Sequence, residues 1–164
     1  AILRQLYRGD GILVSAGNSD ERLMKDLLWA AHVASIEQYR NWVQLRLRYS
    51  KNTAPGPWRS CGRILDSGAG DCEDFMSVHC AALSAMGFRP GLLALEGADW
   101  GHAICYFKKD GLYSFFDNER LIVTQSTSRA DFFARLKDLY GYERLYELDI
   151  VSKNSTRLDW ALSL

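Results

Sequence analysis

The sequence has no apolar run of the roughly 18 residues that a membrane-spanning helix needs, and its opening, AILRQLYRGDG, lacks the long apolar region of a signal peptide. It has no excess of charge, since 20 Lys and Arg balance 20 Asp and Glu for a formal net charge of +0. No basic run is interleaved with aromatics, so neither nucleic acid nor an anionic membrane is expected as a partner. Cysteine is sparse. The four, at 61, 72, 80 and 105, have neither the density of a disulfide scaffold nor the paired C-x-x-C spacing of a thiolate zinc site. Such a pattern is compatible with a reducing compartment and with a secreted protein alike. Internal repeats and low-complexity segments are absent as well.

What is present is a chain of 164 residues, 48% hydrophobic, with five Trp, eight Tyr and seven Phe, enough to bury one core without staples. Residues 1–18 read as an N-terminal extension and 19–164 as a single domain. Ser19 or Asn18 is an N-cap, with Asp20 and Glu21 in the first turn. Apolar residues Leu23, Leu27, Ala30, Ala34, Tyr39, Trp42, Val43 and Leu47 then keep a helical period with a break near 34–37. Arg40, Arg46 and Arg48 fall between them as a solvated face. The run SKNTAPGPWR, holding two of the three prolines, ends that helix in a loop.

A second helix is expected from Asp71, with Phe75, Val78, Ala82 and Met86 at helical steps and Gly87 just past its end. Beyond it the period changes. Segments 92–95, 102–107, 112–116 and 121–124 are short β-branched and aromatic runs bounded by glycine, aspartate or asparagine. Lys109, Asp110 and Gly111 make a hairpin turn between two of these strands. Segment 131–140 is helical, with Phe132, Phe133, Leu136 and Leu139 on one side, and 145–151 is a last strand. Helices followed by hairpin-linked strands predict an α+β domain, its antiparallel sheet packed on the helix that begins near Cys72.

That cysteine is the residue of chemical interest. Glycines at 68 and 70 precede it, and a thiol at a helix N-terminus meets unpaired N–H groups and the positive end of the dipole, both of which favour thiolate. A nucleophilic thiol needs a base, and the base needs an orienting acceptor. His32 lies within the first helix among apolar neighbours. His79 is on the Cys72 helix about 10 Å along it, too far for a direct hydrogen bond. His102 opens a strand. If the hairpin pairs the ends of its strands, Asp117 comes level with His102, whereas Asp99 sits in a loop and ranks second. Taken singly, a buried cysteine, a strand histidine and an aspartate before asparagine are ordinary structural residues; it is their joint order on helix, strand and strand that points to catalysis.

Gly70-Asp71-Cys72-Glu73-Asp74-Phe75, Gly101-His102-Ala103 and Phe116-Asp117-Asn118, with Trp58 upstream, resemble the transglutaminase-like superfamily. More narrowly they resemble the bacterial transglutaminase-like cysteine proteinases, over roughly residues 38–125. The resemblance implies a papain-like core with Cys72 as nucleophile, His102 as base and Asp117 as orienter. It implies acyl transfer from an amide through a thioester, and so a protein or peptide substrate. Peptide hydrolysis is the favoured outcome, with transglutaminase or other amide acyl transfer, or a non-catalytic peptide-binding module, as alternatives. Trp58 and Trp100 are candidate substrate walls, and Trp58 and Trp42 candidate oxyanion donors. The chemistry needs no cofactor, but one branch of the group, periplasmic proteases that clip biofilm adhesins, binds calcium beside the nucleophile. Asp71, Glu73 and Asp74 match those positions, and a chain that followed that branch would be periplasmic or secreted. The same residues read equally well as helix caps and an arginine partner.

Overall fold

The computed structural model describes residues 18–51, 59–149 and 159–162. The expected extension up to residue 17, and Trp58, lie outside the described residues. The long helical period resolves into two helices, α1 (Asn18–Ala30) and α2 (Ile36–Arg46), the latter capped by the Ser35 side chain on Gln38 N–H. The break falls where the sequence placed it. His32, however, is exposed in the turn after α1 at φ 56°, not inside a helix. The chain continues through β1 (Arg48–Tyr49), α3 (Cys61–Ser67), β2 (Ala69–Gly70) and α4 (Cys72–Ala85). Then come β3 (Gly91–Glu96), β4 (Gly101–Lys109), β5 (Leu112–Asp117), β6 (Arg120–Val123), α5 (Arg129–Tyr140), β7 (Arg144–Asp149) and β8 (Asp159–Leu162).

The fold is α+β. Six strands pair antiparallel in the order β6-β5-β4-β3-β7-β8, while β1 and β2 form a separate parallel pair just before α4. Side chains alternate across the sheet and bury both faces. On one face Leu92, Ala94, Ala103, Cys105, Phe107 and Phe116 join the residues of α1 to α4 in the main core. On the other, Leu93, Leu95, Ile104 and Phe115 pack on Phe132, Phe133 and Leu136 of α5. Leu139 was expected on that buried side but is 52% exposed; the stripe continues instead to Tyr140, one turn after Leu136.

Asp110 and Gly111 both have positive φ, at 53° and 78°, as a two-residue hairpin turn requires. They set the register. Lys109 faces Leu112 and Cys105 faces Phe116, so Asp117 is displaced by two positions from the level expected for it. An even displacement keeps every side chain on its face, and His102 and Asp117 therefore meet diagonally instead of squarely.

His79 ties three layers together from the middle of α4. The Tyr39 hydroxyl of α2 donates to Nδ1 at 2.7 Å, and Nε2–H donates to the Asn118 carbonyl at 2.7 Å. The ring also stacks on Phe116 with centroids 4.2 Å apart. Complete burial pushes its pKa down to about 4. Because the unfolded histidine binds a proton more readily, its contribution to stability is full above pH ~6.5 and is lost as pH falls toward 4.

Acidification from pH 7 to 4 is therefore expected to weaken folding by up to ~3 kcal/mol through this residue, and His79→Gln, which retains an N–H for Asn118, should flatten that pH dependence. His79→Leu strands the Tyr39 hydroxyl and the Asn118 carbonyl and should be less stable than His79→Gln by about 1–3 kcal/mol in urea unfolding.

Candidate active site

The sequence around Cys72 folds into a tightly fastened helix start. Asp71 is the N-cap of α4, and its Oδ1 accepts from the N–H groups of Glu73 at 3.0 Å and Asp74 at 3.1 Å. Asp74 answers by accepting from the Asp71 N–H at 3.0 Å, which completes a reciprocal capping box. Gly70 makes room for this exchange, since a Cβ there would stand 2.6 Å from Asp74 Cβ. Arg59 fixes the other side of Asp74, with Nη2 2.6 Å from Oδ2, and also donates to the Ala69 carbonyl and the Ser67 hydroxyl. In these interactions Asp71 caps, Asp74 pairs with an arginine, and Glu73 does neither.

Calcium does not fit this arrangement. Asp71 and Asp74 direct oxygens at backbone amides and a guanidinium, and among the described residues no group of three or more His, Cys, Asp or Glu side chains is placed to hold a metal. No step of the chemistry below runs through a metal.

Cys72 is the first residue of α4 and is buried, at 2% exposure, although Asp71 before it and Glu73 and Asp74 after it are polar residues of the kind that keep a thiol exposed. Burial pushes its pKa up to about 12, and the Glu73 and Asp71 carboxyls push the same way. The amide N–H groups of Ala103 and of Cys72 itself act against that rise by favouring the thiolate. Burial, with Asp71 and Asp74 alongside, likewise lifts Glu73 to about 8, so at neutral pH it is mostly uncharged and repels a thiolate less.

His102 and Asp117 are brought together. Nε2 lies 2.7 Å from Oδ1, and a carboxylate can only accept, so Nε2 carries the proton and Nδ1 the lone pair. Burial alone would raise the Asp117 pKa; hydrogen bonds from His102, Tyr140 and Arg120 outweigh it and hold the carboxyl down at about 2. Oδ2 accepts from the Tyr140 hydroxyl at 2.6 Å and from Arg120 at 2.8 Å. The thiol and the imidazole are not themselves hydrogen-bonded in this structure. Their link is electrostatic: the amide of Ala103, the residue after His102, favours the thiolate of Cys72. The β4–β5 ladder begins only at Cys105, which leaves that edge of β4 open to the nucleophile.

Of the other residues singled out, Trp100 is 36% exposed in the loop before His102, over Gly97, where a Cβ would meet its indole at 2.0 Å. Asp99 is exposed in the same loop. The Trp42 indole N–H is buried without an acceptor among the described residues. Three residues of the site had no motif to reveal them: Tyr140, Arg120 and Tyr49. Tyr49, 43% exposed on β1, has its pKa raised by partial burial and by the nearby Cys72, Asp71, Asp117 and Glu119. The one clue to Tyr49 was its position on a short strand that only the structure pairs with Gly70. A cavity of about 670 Å³ lies at the other end of α4, lined by Leu28, Trp29, Ile36, Met86 and Phe88 among others, away from Cys72.

No protein-family model matches this sequence, and no curated protein does. Among solved structures, the fold matches the "Putative Cysteine Protease from Cytophaga hutchinsonii" with a TM-score of 0.50 at 13% identity, over 99% of this chain and 63% of that one. A "putative protease" from Parabacteroides distasonis gives a TM-score of 0.47 at 12% identity over 76% of this chain and 25% of that one. The chain thus spans less than two thirds of either protein. The first of these likenesses shows a shared fold; the second carries no argument.

Strong chelation should leave the melting temperature unchanged, because Asp71 and Asp74 are engaged by backbone amides and by Arg59; a fall of several degrees on adding EGTA would restore the calcium reading. Gly70→Ala should displace Asp74 and lower stability by about 1–3 kcal/mol, measured by denaturant unfolding.

Proposed function

We propose that the chain is a cysteine peptidase of the transglutaminase-like kind, cleaving a peptide bond with Cys72 as nucleophile, His102 as base and Asp117 as orienter. The observation that carries this reading is the tautomer. With Nε2–H held by an ionised Asp117, the imidazole is left with Nδ1 as its lone-pair nitrogen, on the strand whose next amide favours the Cys72 thiolate.

In the proposed reaction Nδ1 takes the thiol proton as sulfur attacks the substrate carbonyl carbon, forming the C–S bond and an oxyanion. The Cys72 amide, one of the free N–H groups at the start of α4, stabilises that charge. The imidazolium then returns its proton to the leaving nitrogen, the C–N bond breaks, and a thioester remains. Water attacks the thioester with His102 again as base, releasing the acid and the thiol. The raised thiol pKa implies that Cys72 rests as a thiol, so proton removal accompanies attack. Tyr49 on the nucleophile side and Trp100 on the histidine side are the exposed aromatics from which substrate contacts would come. The same thioester would also serve an amine acceptor, and product analysis separates the two outcomes.

Cys72→Ala should abolish turnover while leaving the melting temperature nearly unchanged. His102→Ala should lower the rate by about 10⁴-fold and Asp117→Asn by about 10²-fold. Mass spectrometry of a protein extract incubated with the protein and an amine donor should show new peptide termini. An added amine mass in place of new termini would make it a transferase, and turnover by Cys72→Ala would remove the nucleophile assignment. Iodoacetamide at mild pH should label Cys72 ahead of Cys61, Cys80 and Cys105; uniform slow labelling would overturn the enzyme reading.

A further inference from the structure

We propose that Tyr140 is a positioning residue: its hydroxyl fixes Asp117 Oδ2, so that Oδ1 stays on His102 Nε2 and Nδ1 is left as the base. This rests on the reading of His102 and Asp117 given above and extends it to a helix on the far face of the sheet. A carboxylate whose second oxygen is free can turn about its Cβ–Cγ bond and offer either oxygen, or water, to the imidazole. Here that freedom is removed by two donors to the same oxygen, the Tyr140 hydroxyl at 2.6 Å and Arg120 Nη2 at 2.8 Å.

The two donors differ in quality. Arg120 is three residues from Asp117, its side chain is 66% exposed, and water and salt weaken its hold. Tyr140 is half-buried and has little room to move. It is the last residue of α5, where Gly141 turns the chain at φ 62°. Its ring lies 5.8 Å from the His102 ring and 6.3 Å from that of Phe115, centroid to centroid. One side chain therefore touches both the base and its orienter. The groups facing Asp117 are His102 of β4, Arg120 of β6, Tyr140 of α5 and, through space, the Tyr49 phenol of β1. Loss of the Tyr140 hydroxyl removes the less exposed of the two donors to Oδ2 and leaves the carboxylate freer to turn away from His102.

Tyr140→Phe tests this, since it keeps the ring and deletes only the hydroxyl. In ¹⁵N-labelled protein the His102 imidazole of the unaltered chain should show the Nε2–H tautomer when neutral. In Tyr140→Phe the Nδ1–H tautomer should appear beside it. Iodoacetamide labelling of Cys72 at pH 7 should slow by about fivefold in the same variant. Arg120→Gln should produce a smaller change that disappears at high salt. If Tyr140→Phe leaves the tautomer as it was, or if Arg120→Gln alone reproduces the full effect, the assignment of Tyr140 is overturned. The NMR readout does not depend on thiol reactivity. Unselective labelling of Cys72 in the unaltered chain would count against the peptidase reading, and a changed tautomer in Tyr140→Phe would still uphold the role of Tyr140.

Discussion

Two aspartates that cap each other's backbone decide where the thiol of this protein stands. Asp71 satisfies the first free amides of α4, Asp74 satisfies the amide of Asp71, and Arg59 holds Asp74 from outside. The exchange requires a glycine at position 70, and Gly70 is also paired with Tyr49 in the short parallel pair β1–β2. One local bonding pattern thus fixes the pitch of the helix, the entry of its preceding loop and the strand that brings Tyr49 beside Cys72. Farther along the same helix, His79 joins Tyr39 of α2 to the turn that follows Asp117. The nucleophile helix is fastened to the rest of the site at two points about ten ångströms apart, by hydrogen bonds that burial keeps from exchanging with water.

The same pattern sets an electrostatic conflict. Carboxylates suit a helix N-terminus, and they disfavour a thiolate there. The structure lessens the conflict in three ways. Asp74 is paired with a guanidinium, Glu73 is mostly protonated at neutral pH, and the amides of Ala103 and Cys72 favour the thiolate. Burial still wins, with the thiol held up near 12, so in the proposed reaction a general base matters more than the helix dipole. A dipole contributes about 0.3–1 kcal/mol, under one unit of pKa, whereas a general base acts only when attack begins.

The sequence was most legible where a local rule governs a local structure. The cap at Asp71, the break between α1 and α2 and the Asp110-Gly111 turn all depend on residues within four positions of one another. The His102–Asp117 contact was readable because it needed only the parity of a hairpin, and parity survived a register that differed by two. What could not be read was set by packing between distant elements. Burial of Cys72 under the sheet edge reverses the exposure that its polar neighbours suggest. Arg59, separated from Asp74 by α3 and β2, has no signature in the sequence. Tyr140 ends a helix whose apolar spacing suggested Leu139 as the inward residue, and the phenol gave no sign that it would bond to a carboxylate at the end of β5.

The placement of the site follows from the alternation of side chains along β4. Ala103, Cys105 and Phe107 face the nucleophile helix, while His102 and Ile104 belong to the side covered by α5. A thiol from one layer and an imidazole from the other could not meet through the middle of a sheet. At the end of β4 the ladder to β5 has not begun, and there the Ala103 amide favours the Cys72 thiolate. The end of the sheet is therefore where both helical layers can contribute to a single site, α4 through Cys72 and α5 through Tyr140. Burying both faces of the sheet is what makes a far-face residue available to the orienter of the base.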